Sequence, residues 1–220
     1  MTTLLAMADI HGNLPALQAV KADLGLMEKE IDGIAVAGDI VGEKGGSSRV
    51  IHLLVILGNV FDSHYVIGNH DARMRPEYYF NPDIPSQVEE YESLKESLSD
   101  SDVSWLCSLP RRIETHNFVV AHSWPARFQE AETSVVGFTT GDFGVVPQNV
   151  TAAGIALDNQ VAILGHTHQQ FKQSVDKFEG QSGLIVNPGS VGLPSSEGKA
   201  EYAIVDTEAQ EAELCSVEYQ

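Results

Sequence analysis

The chain is short of positive charge, of cysteine and of long apolar runs. Its 220 residues hold 13 Lys and Arg against 31 Asp and Glu, a net charge of -18. That deficit leaves no basic surface for a nucleic-acid backbone, so no nucleic-acid partner is expected. The two cysteines, Cys107 and Cys215, cannot build a disulfide framework, and neither stands near a metal-ligating partner in the sequence. A reducing cytoplasm is therefore the expected compartment. No apolar stretch approaches the roughly 18 residues of a membrane span. Met1 to Ile10 lacks a basic start and a small-residue cleavage pattern, so neither a membrane partner nor a signal peptide is expected.

What is present suits a globular protein. The chain is 43% hydrophobic, which predicts one domain spanning 1–220 with a sizeable core. The acids are spread through the chain: Glu28 to Asp32, Glu89 to Glu96, Glu130 to Glu132 and the C-terminal stretch. A surface of this kind repels itself in dilute buffer and is screened in salt, which is the pattern of a halophilic protein.

Five short β-type runs each end in a polar residue. Thr3 to Ala8 leads to Asp9, Ile34 to Gly38 to Asp39, and His64 to Gly68 to Asn69. Asn117 to Ala121 leads to His122, and Val161 to Gly165 to His166. Continuous apolar runs of this length read as buried strands. Helical spacing separates the first three. Asn13 is a good N-cap ahead of Pro15, with Leu14, Leu17, Val20 and Leu24 on one face, and Ser47 or Ser48 is placed to cap a helix running to Leu57. The first third thus predicts β-α-β-α-β with a mainly parallel sheet, whose site lies beyond the carboxyl ends of its strands.

Further along, Gln87 to Leu98, Asp102 to Leu109 and Asn149 to Leu157 read as helices, and the stretches 76–100 and 123–148 read as caps over the site. Beyond His168 the pattern is all-β. Phe171 to Phe178, Gly183 to Val186, Tyr202 to Val205 and Glu213 to Tyr219 are expected to form a second sheet.

The polar residues form a recognisable set: Asp9-Ile10-His11, Gly38-Asp39, Gly68-Asn69-His70-Asp71, His122 and Gly165-His166-Thr167-His168. Glycine ahead of a ligand lets the backbone turn sharply and approach an ion closely. Carboxylates, imidazoles and one amide oxygen, with no thiolate, suit divalent Mn, Fe, Zn, Ni or Co. Gly-His-x-His arises by chance roughly 0.02 times in such a composition, and Gly-Asn-His-Asp on the order of 10⁻³ times. His52, His64 and His116 read instead as packing or turn residues, and Arg73 and Arg75 as solvated side chains within possible reach of a phosphate.

This ordered set resembles the five signature blocks of the calcineurin-like metallophosphoesterases, most closely their small prokaryotic phosphodiesterase branch. Gly12 to Leu17, Ser108-Leu109-Pro110 and Asn187 to Gly192 followed by Pro194 are similar to that branch as well. The resemblance implies an α/β fold: a two-sheet β-sandwich flanked by helices in four layers, with two metals at one sheet edge. It implies one divalent transition-metal ion, with manganese preferred, on Asp9, His11, Asp39 and His168. A second would sit on Asp39, Asn69, His122 and His166, with Asp39 bridging. His70 then faces the scissile phosphate as the catalytic acid, and Arg73 is a candidate substrate contact. Two cations about 3.5–4 Å apart would lower the pKa of a water that attacks phosphorus in line. The chain departs from the family at Ser123, where relatives carry Gly. It departs again at Gly42, where the protein-phosphatase branch has an Asp paired with its catalytic His.

The expected activity is hydrolysis of small phosphodiesters. The runners-up are phosphomonoester or dinucleoside tetraphosphate hydrolysis. A non-catalytic scaffold is disfavoured by the intact blocks. The resemblance implies a small phosphoester substrate as partner and is compatible with a homo-oligomer, as many relatives are. The diester preference rests on the segment after Asp39, Ile40-Val41-Gly42-Glu43-Lys44, which places an acid where phosphatases carry an Arg clamp.

Overall fold

The computed structural model describes residues 2–26, 30–75, 85–123, 160–176, 182–194 and 198–220. The chain begins β1 (Thr3–Met7), α1 (Leu14–Leu26), β2 (Gly33–Ala37), α2 (Ser47–Gly58), β3 (Asp62–Val66) and α3 (Asn69–Ala72). Helices α4 (Pro85–Ser97) and α5 (Asp100–Ser108) follow, then strands β4 (Arg112–Glu114), β5 (Phe118–Ala121) and β6 (Val161–Leu164). It closes with β7 (Phe171–Asp176), β8 (Ser182–Asn187), β9 (Lys199–Asp206) and β10 (Glu211–Glu218). The proposed caps fall largely outside the described residues, as does the helix expected at Asn149 to Leu157. From those two stretches only residues 85–100, which hold α4, and Ser123 are described.

The strands form two mixed five-stranded sheets, ordered β10-β9-β1-β2-β3 and β4-β5-β6-β8-β7. β1, β2 and β3 run parallel, as their β-α-β-α-β pattern requires. β5, β6 and β8 run parallel in the other sheet. The five ligand-bearing runs are therefore divided three and two between the sheets. The all-β tail also splits, contrary to the single second sheet expected. β7 and β8 extend the second sheet, whereas β9 pairs antiparallel with β1 and carries β10 into the first. Both destinations offer an unpaired apolar edge, and alternation within the tail does not choose between them.

Period-2 alternation sorts side chains between two cores. Leu4, Ala6, Ala8, Ala35, Ala37 and Val66 face the second sheet and meet Phe118, Val120, Val161, Ile163, Leu184 and Val186. Four of these first six side chains are alanines. On the opposite face, Leu5, Met7, Ile34 and Val36 pack against Leu17 and Val20 of α1 and Val50, Ile51 and Leu54 of α2. Each of these buried aliphatic side chains contributes on the order of 1.5–3 kcal/mol of transfer free energy.

The helix ends partly follow expectation. Asn13 Oδ1 accepts from the amide of Ala16 at 3.2 Å, capping α1. α2 starts one residue earlier than a serine cap would allow. Gly46 is its N-cap with no side-chain cap, Ser47 Oγ accepts from Gly42 N, and Ser48 Oγ donates to Asp102 Oδ2 at 2.9 Å. Asp102 also closes a reciprocal cap with Ser99 at the start of α5. His52 faces solvent on α2 and pairs with Asp102 at 3.1 Å, and so is not a packing residue. Among the described residues no helix is long and apolar enough to cross a membrane.

Candidate metal centre

The carboxyl ends of β1, β2, β3, β5 and β6 meet at one rim, and the seven predicted ligands lie on the loops that leave them. Asp9, His11, Asp39 and His122 are buried, while Asn69, His70, His166 and His168 are half-buried. Asp9, His11, Asp39, His166 and His168 all adopt positive φ, at 53°, 48°, 50°, 71° and 55°. This left-handed region is costly for residues other than glycine and marks places where surrounding structure holds a strained backbone. The expected turn therefore resides in these acid and imidazole residues themselves as well as in Gly38 (φ 79°). Gly68 and Gly165 serve close approach instead. A Cβ on Gly68 would collide with Asp39, and one on Gly165 would lie 2.6 Å from the carbonyl of Ala37.

The donor atoms point at one another. Asp39 Oδ2 lies 3.3 Å from His122 Nε2 and 3.9 Å from His11 Nε2. Asn69 Oδ1 is 3.0 Å from both His122 Nε2 and His166 Nδ1. On the other side, His11 Nε2 is 3.1 Å from His168 Nε2, which is 3.4 Å from Asp9 Oδ1. Two of these groups, Asp9/His11/His168 and Asp39/His122/His166, have donor atoms close enough together to hold an ion. Two imidazoles are aimed by main-chain acceptors: the Nδ1 of His122 meets the carbonyl of Ala37 at 2.7 Å and that of His168 the carbonyl of Leu193 at 3.1 Å. Each contact fixes the tautomer that leaves Nε2 facing the cluster.

The electrostatics are those of a site built for positive charge. Burial opposes ionisation of Asp39, but the imidazoles of His122, His70 and His11 outweigh it and hold the carboxyl well below the usual range. Burial likewise opposes protonation of His122, yet Asp39 dominates and pushes it up to about 10. Burial lowers His11 to about 4 against the attraction of Asp39. Burial and then the neighbouring His122 lower His166 to about 4. A charge that several imidazoles compete to supply in this way fits divalent ions bound by carboxylate and imidazole.

His70 lies at the mouth, its Nε2 4.0 Å from Asp39 Oδ2. Its amide donates to Asp39 Oδ1 at 2.8 Å, and its ring stands edge-on to His11 with centroids 4.7 Å apart. In place of the missing acid at Gly42, the carboxylate of Glu43 approaches, and its oxygen and nitrogens of His11 and His70 lie within 4.8 Å of one another. Arg73 caps the C-terminal end of α3, half-buried, on the helix that carries Asn69 and His70. Arg75 is not solvated: its Nη2 donates to the carbonyls of Cys107 and Leu109, joining α3 to the end of α5.

Residues without a role in the sequence reading complete the rim. Asp71 accepts from the amides of Ile40, Val41 and Gly68, each at 2.9 Å. Burial and the charge of Asp39 push its carboxyl up to about 6, against the pull of the Val41 and Gly68 amides. Its place in the Gly-Asn-His-Asp block was the available signal. The loop after β8, within the Asn187 to Gly192 block, buttresses the loop that carries Asp9. Ser190 Oγ donates to the carbonyl of Asp9 at 2.7 Å, and the amides of Val191 and Gly192 bond to Ala8 and Asp9. Asn187 Nδ2 donates to the carbonyl of Gly165 at 2.9 Å.

Comparison with known proteins agrees with this geometry. A sequence model of the calcineurin-like phosphoesterase superfamily domain matches residues 2–210. A metallophosphoesterase of Sphaerobacter thermophilus is 25% identical, with TM-score 0.72, over 100% of this chain and 89% of its own. A hypothetical protein of Pyrococcus horikoshii OT3 has the same fold at 21% identity and TM-score 0.73, over 100% and 89% of the two chains. A protein serine/threonine phosphatase of Saccharomyces cerevisiae shares the fold at 14% identity and TM-score 0.55, over 100% and 80%. No curated protein matches. With its two-sheet sandwich and the convergent acid–imidazole rim, the chain belongs to the calcineurin-like phosphoesterase superfamily, as a hydrolase of phosphoric ester bonds.

Proposed function

We propose that this hydrolase acts on small phosphodiesters through two divalent ions, manganese by preference. Asp9, His11, Asp39 and His168 hold one, Asp39, Asn69, His122 and His166 the other. The observation that carries the two-ion reading is the facing of donor atoms across Asp39, which has imidazole nitrogens of both groups within 3.9 Å of Oδ2. Such ions would offset charge on the phosphoryl oxygens and lower the pKa of the attacking water. Asp39 stays ionised because imidazoles surround it, and the carbonyls of Ala37 and Leu193 keep two of the rings aimed. His70, 16% exposed on its side chain, faces the open side and donates a proton or hydrogen bond to the leaving oxygen.

The diester preference rests on what surrounds the free phosphate oxygens. A monoester arrives as a dianion and gains from arginine clamps, whereas a diester carries one charge. Glu43 puts a half-exposed carboxylate 3.6 Å from His11, and Arg75 is engaged with main-chain carbonyls. Arg73, at the C-terminal end of α3 beside His70, is the candidate substrate contact. The net charge of -18 disfavours long polyanions. The test is kcat/KM for bis-aryl and mono-aryl phosphate with the same leaving group, at equal Mn²⁺ and salt. The bis-aryl ester is the expected better substrate. A clear preference for the monoester overturns the diester reading in favour of a phosphomonoesterase.

A further inference from the structure

His122 and His168 have main-chain carbonyls behind their rings, and His11 has none among the described residues. The Nδ1 of His11 is buried without a hydrogen-bond partner among the described residues, while its Nε2 faces His168 and Asp39. A buried ring N–H left unsatisfied costs roughly 1–3 kcal/mol, and an imidazole whose far nitrogen is not anchored is poorly fixed in tautomer and angle. Glu43 Oε2 lies 3.6 Å from Nδ1, just outside hydrogen-bond distance.

The approach is built into the backbone. The amide of His11 donates to the carbonyl of Asp39, that of Gly12 to Ile40, and that of Lys44 to the carbonyl of His11. These bonds clamp the segment 39–44 along the first ligand loop and set Glu43 beside the ring of His11. Gly42 is required for this: a Cβ there would lie 2.6 Å from Nδ1 and 3.0 Å from the Cα and Cβ of His11. The main chain thus lies flat against the imidazole, and the next side chain leans over its edge. The side chain of Glu43 is 50% exposed, so a small rotation into hydrogen-bond distance meets little resistance.

We propose that Glu43 is a positioning residue for His11: its carboxylate accepts the Nδ1–H, fixing the tautomer in which Nε2 is the ligand atom of the Asp9/His11/His168 group. The inference rests on the two-ion reading above. It also gives the acid after Asp39 a task distinct from repelling dianions. Outer carboxylates of this kind typically alter metal affinity 10–100-fold.

The test is titration of the metal-free protein with Mn²⁺ by calorimetry, for wild type, Glu43→Ala and Glu43→Gln, with ¹⁵N NMR of the histidine rings. Wild type is expected to bind two ions. Glu43→Ala should weaken one of them by about 10–100-fold and leave the other unchanged. Glu43→Gln, whose amide oxygen still accepts a hydrogen bond, should recover most of the loss. The His11 ring should report a protonated Nδ1 in wild type and a mixture of tautomers in Glu43→Ala. Unchanged affinities in Glu43→Ala overturn the proposal while leaving the two-ion reading intact. Loss of one whole equivalent of metal overturns it by making Glu43 a ligand. A wild-type protein that binds no ions sinks both.

Discussion

Asp39 and Asp71 hold each other's loops. Asp39 Oδ1 accepts from the amide of His70, the residue before Asp71, at 2.8 Å. Asp71 Oδ1 accepts from the amide of Ile40, the residue after Asp39, at 2.9 Å. The two buried carboxylates thereby lock the end of β2 to the start of α3, and with it the spacing between Asp39, Asn69 and His70. Asp71→Asn keeps the shape but turns an NH₂ group toward main-chain N–H donors. We expect a stability loss of about 1–3 kcal/mol, together with weaker metal binding and a lower kcat. Denaturant unfolding and metal titration check this. Unchanged metal affinity in a destabilised variant would reduce Asp71 to a structural role.

His70 should be separable from ion binding. His70→Ala is expected to keep its metal content and lose about 10²–10⁴ in kcat. The loss should shrink for esters with good leaving groups, whose oxygen needs less protonation. Metal analysis with a leaving-group series checks both parts. Equal losses across the series would leave His70 with electrostatic stabilisation alone.

The Asp102 junction predicts a pH dependence away from the metal centre. Burial opposes ionisation of Asp102, but the amide and hydroxyl of Ser99, the hydroxyl of Ser48 and His52 prevail and lower its pKa. A carboxyl depressed in the fold stabilises above its unfolded value, near 3.9, and that stabilisation is lost as pH falls through the folded value. Asp102→Asn should therefore cost about 1–2 kcal/mol at pH 7. The gap to wild type should close as pH drops below the ordinary carboxyl range. Melts of both proteins across that range check the sign.

Salt should stabilise the fold. At a net charge of -18, raising KCl from dilute buffer to molar concentration screens self-repulsion. A gain of about 2 kcal/mol would raise Tm by roughly 4–8 °C in a chain of this size. A Tm that is flat or falling with salt removes the halophilic reading.

The sequence by itself determined which polar residues reach the rim and which strands carry them. A buried strand ending in a polar residue is a local pattern, with glycine between them ahead of Asp39, Asn69 and His166, so these three and Asp9 and His122 were legible from their own neighbours. The same holds for α1, whose cap and apolar stripe lie within one helix. Only the tertiary structure decided that β5 and β6 stand in a different sheet from β1, β2 and β3, and that β9 and β10 return to the first. It also decided which nitrogen each imidazole turns inward, and gave Asp71, Ser190 and Glu43 their partners. The physical reason is separation along the chain. Ser190 reaches Asp9, and Asn13 reaches Gly192, across some 180 residues. A hydrogen bond of that span leaves no trace in the periodicity of either segment, because the partner is chosen by how two sheets pack.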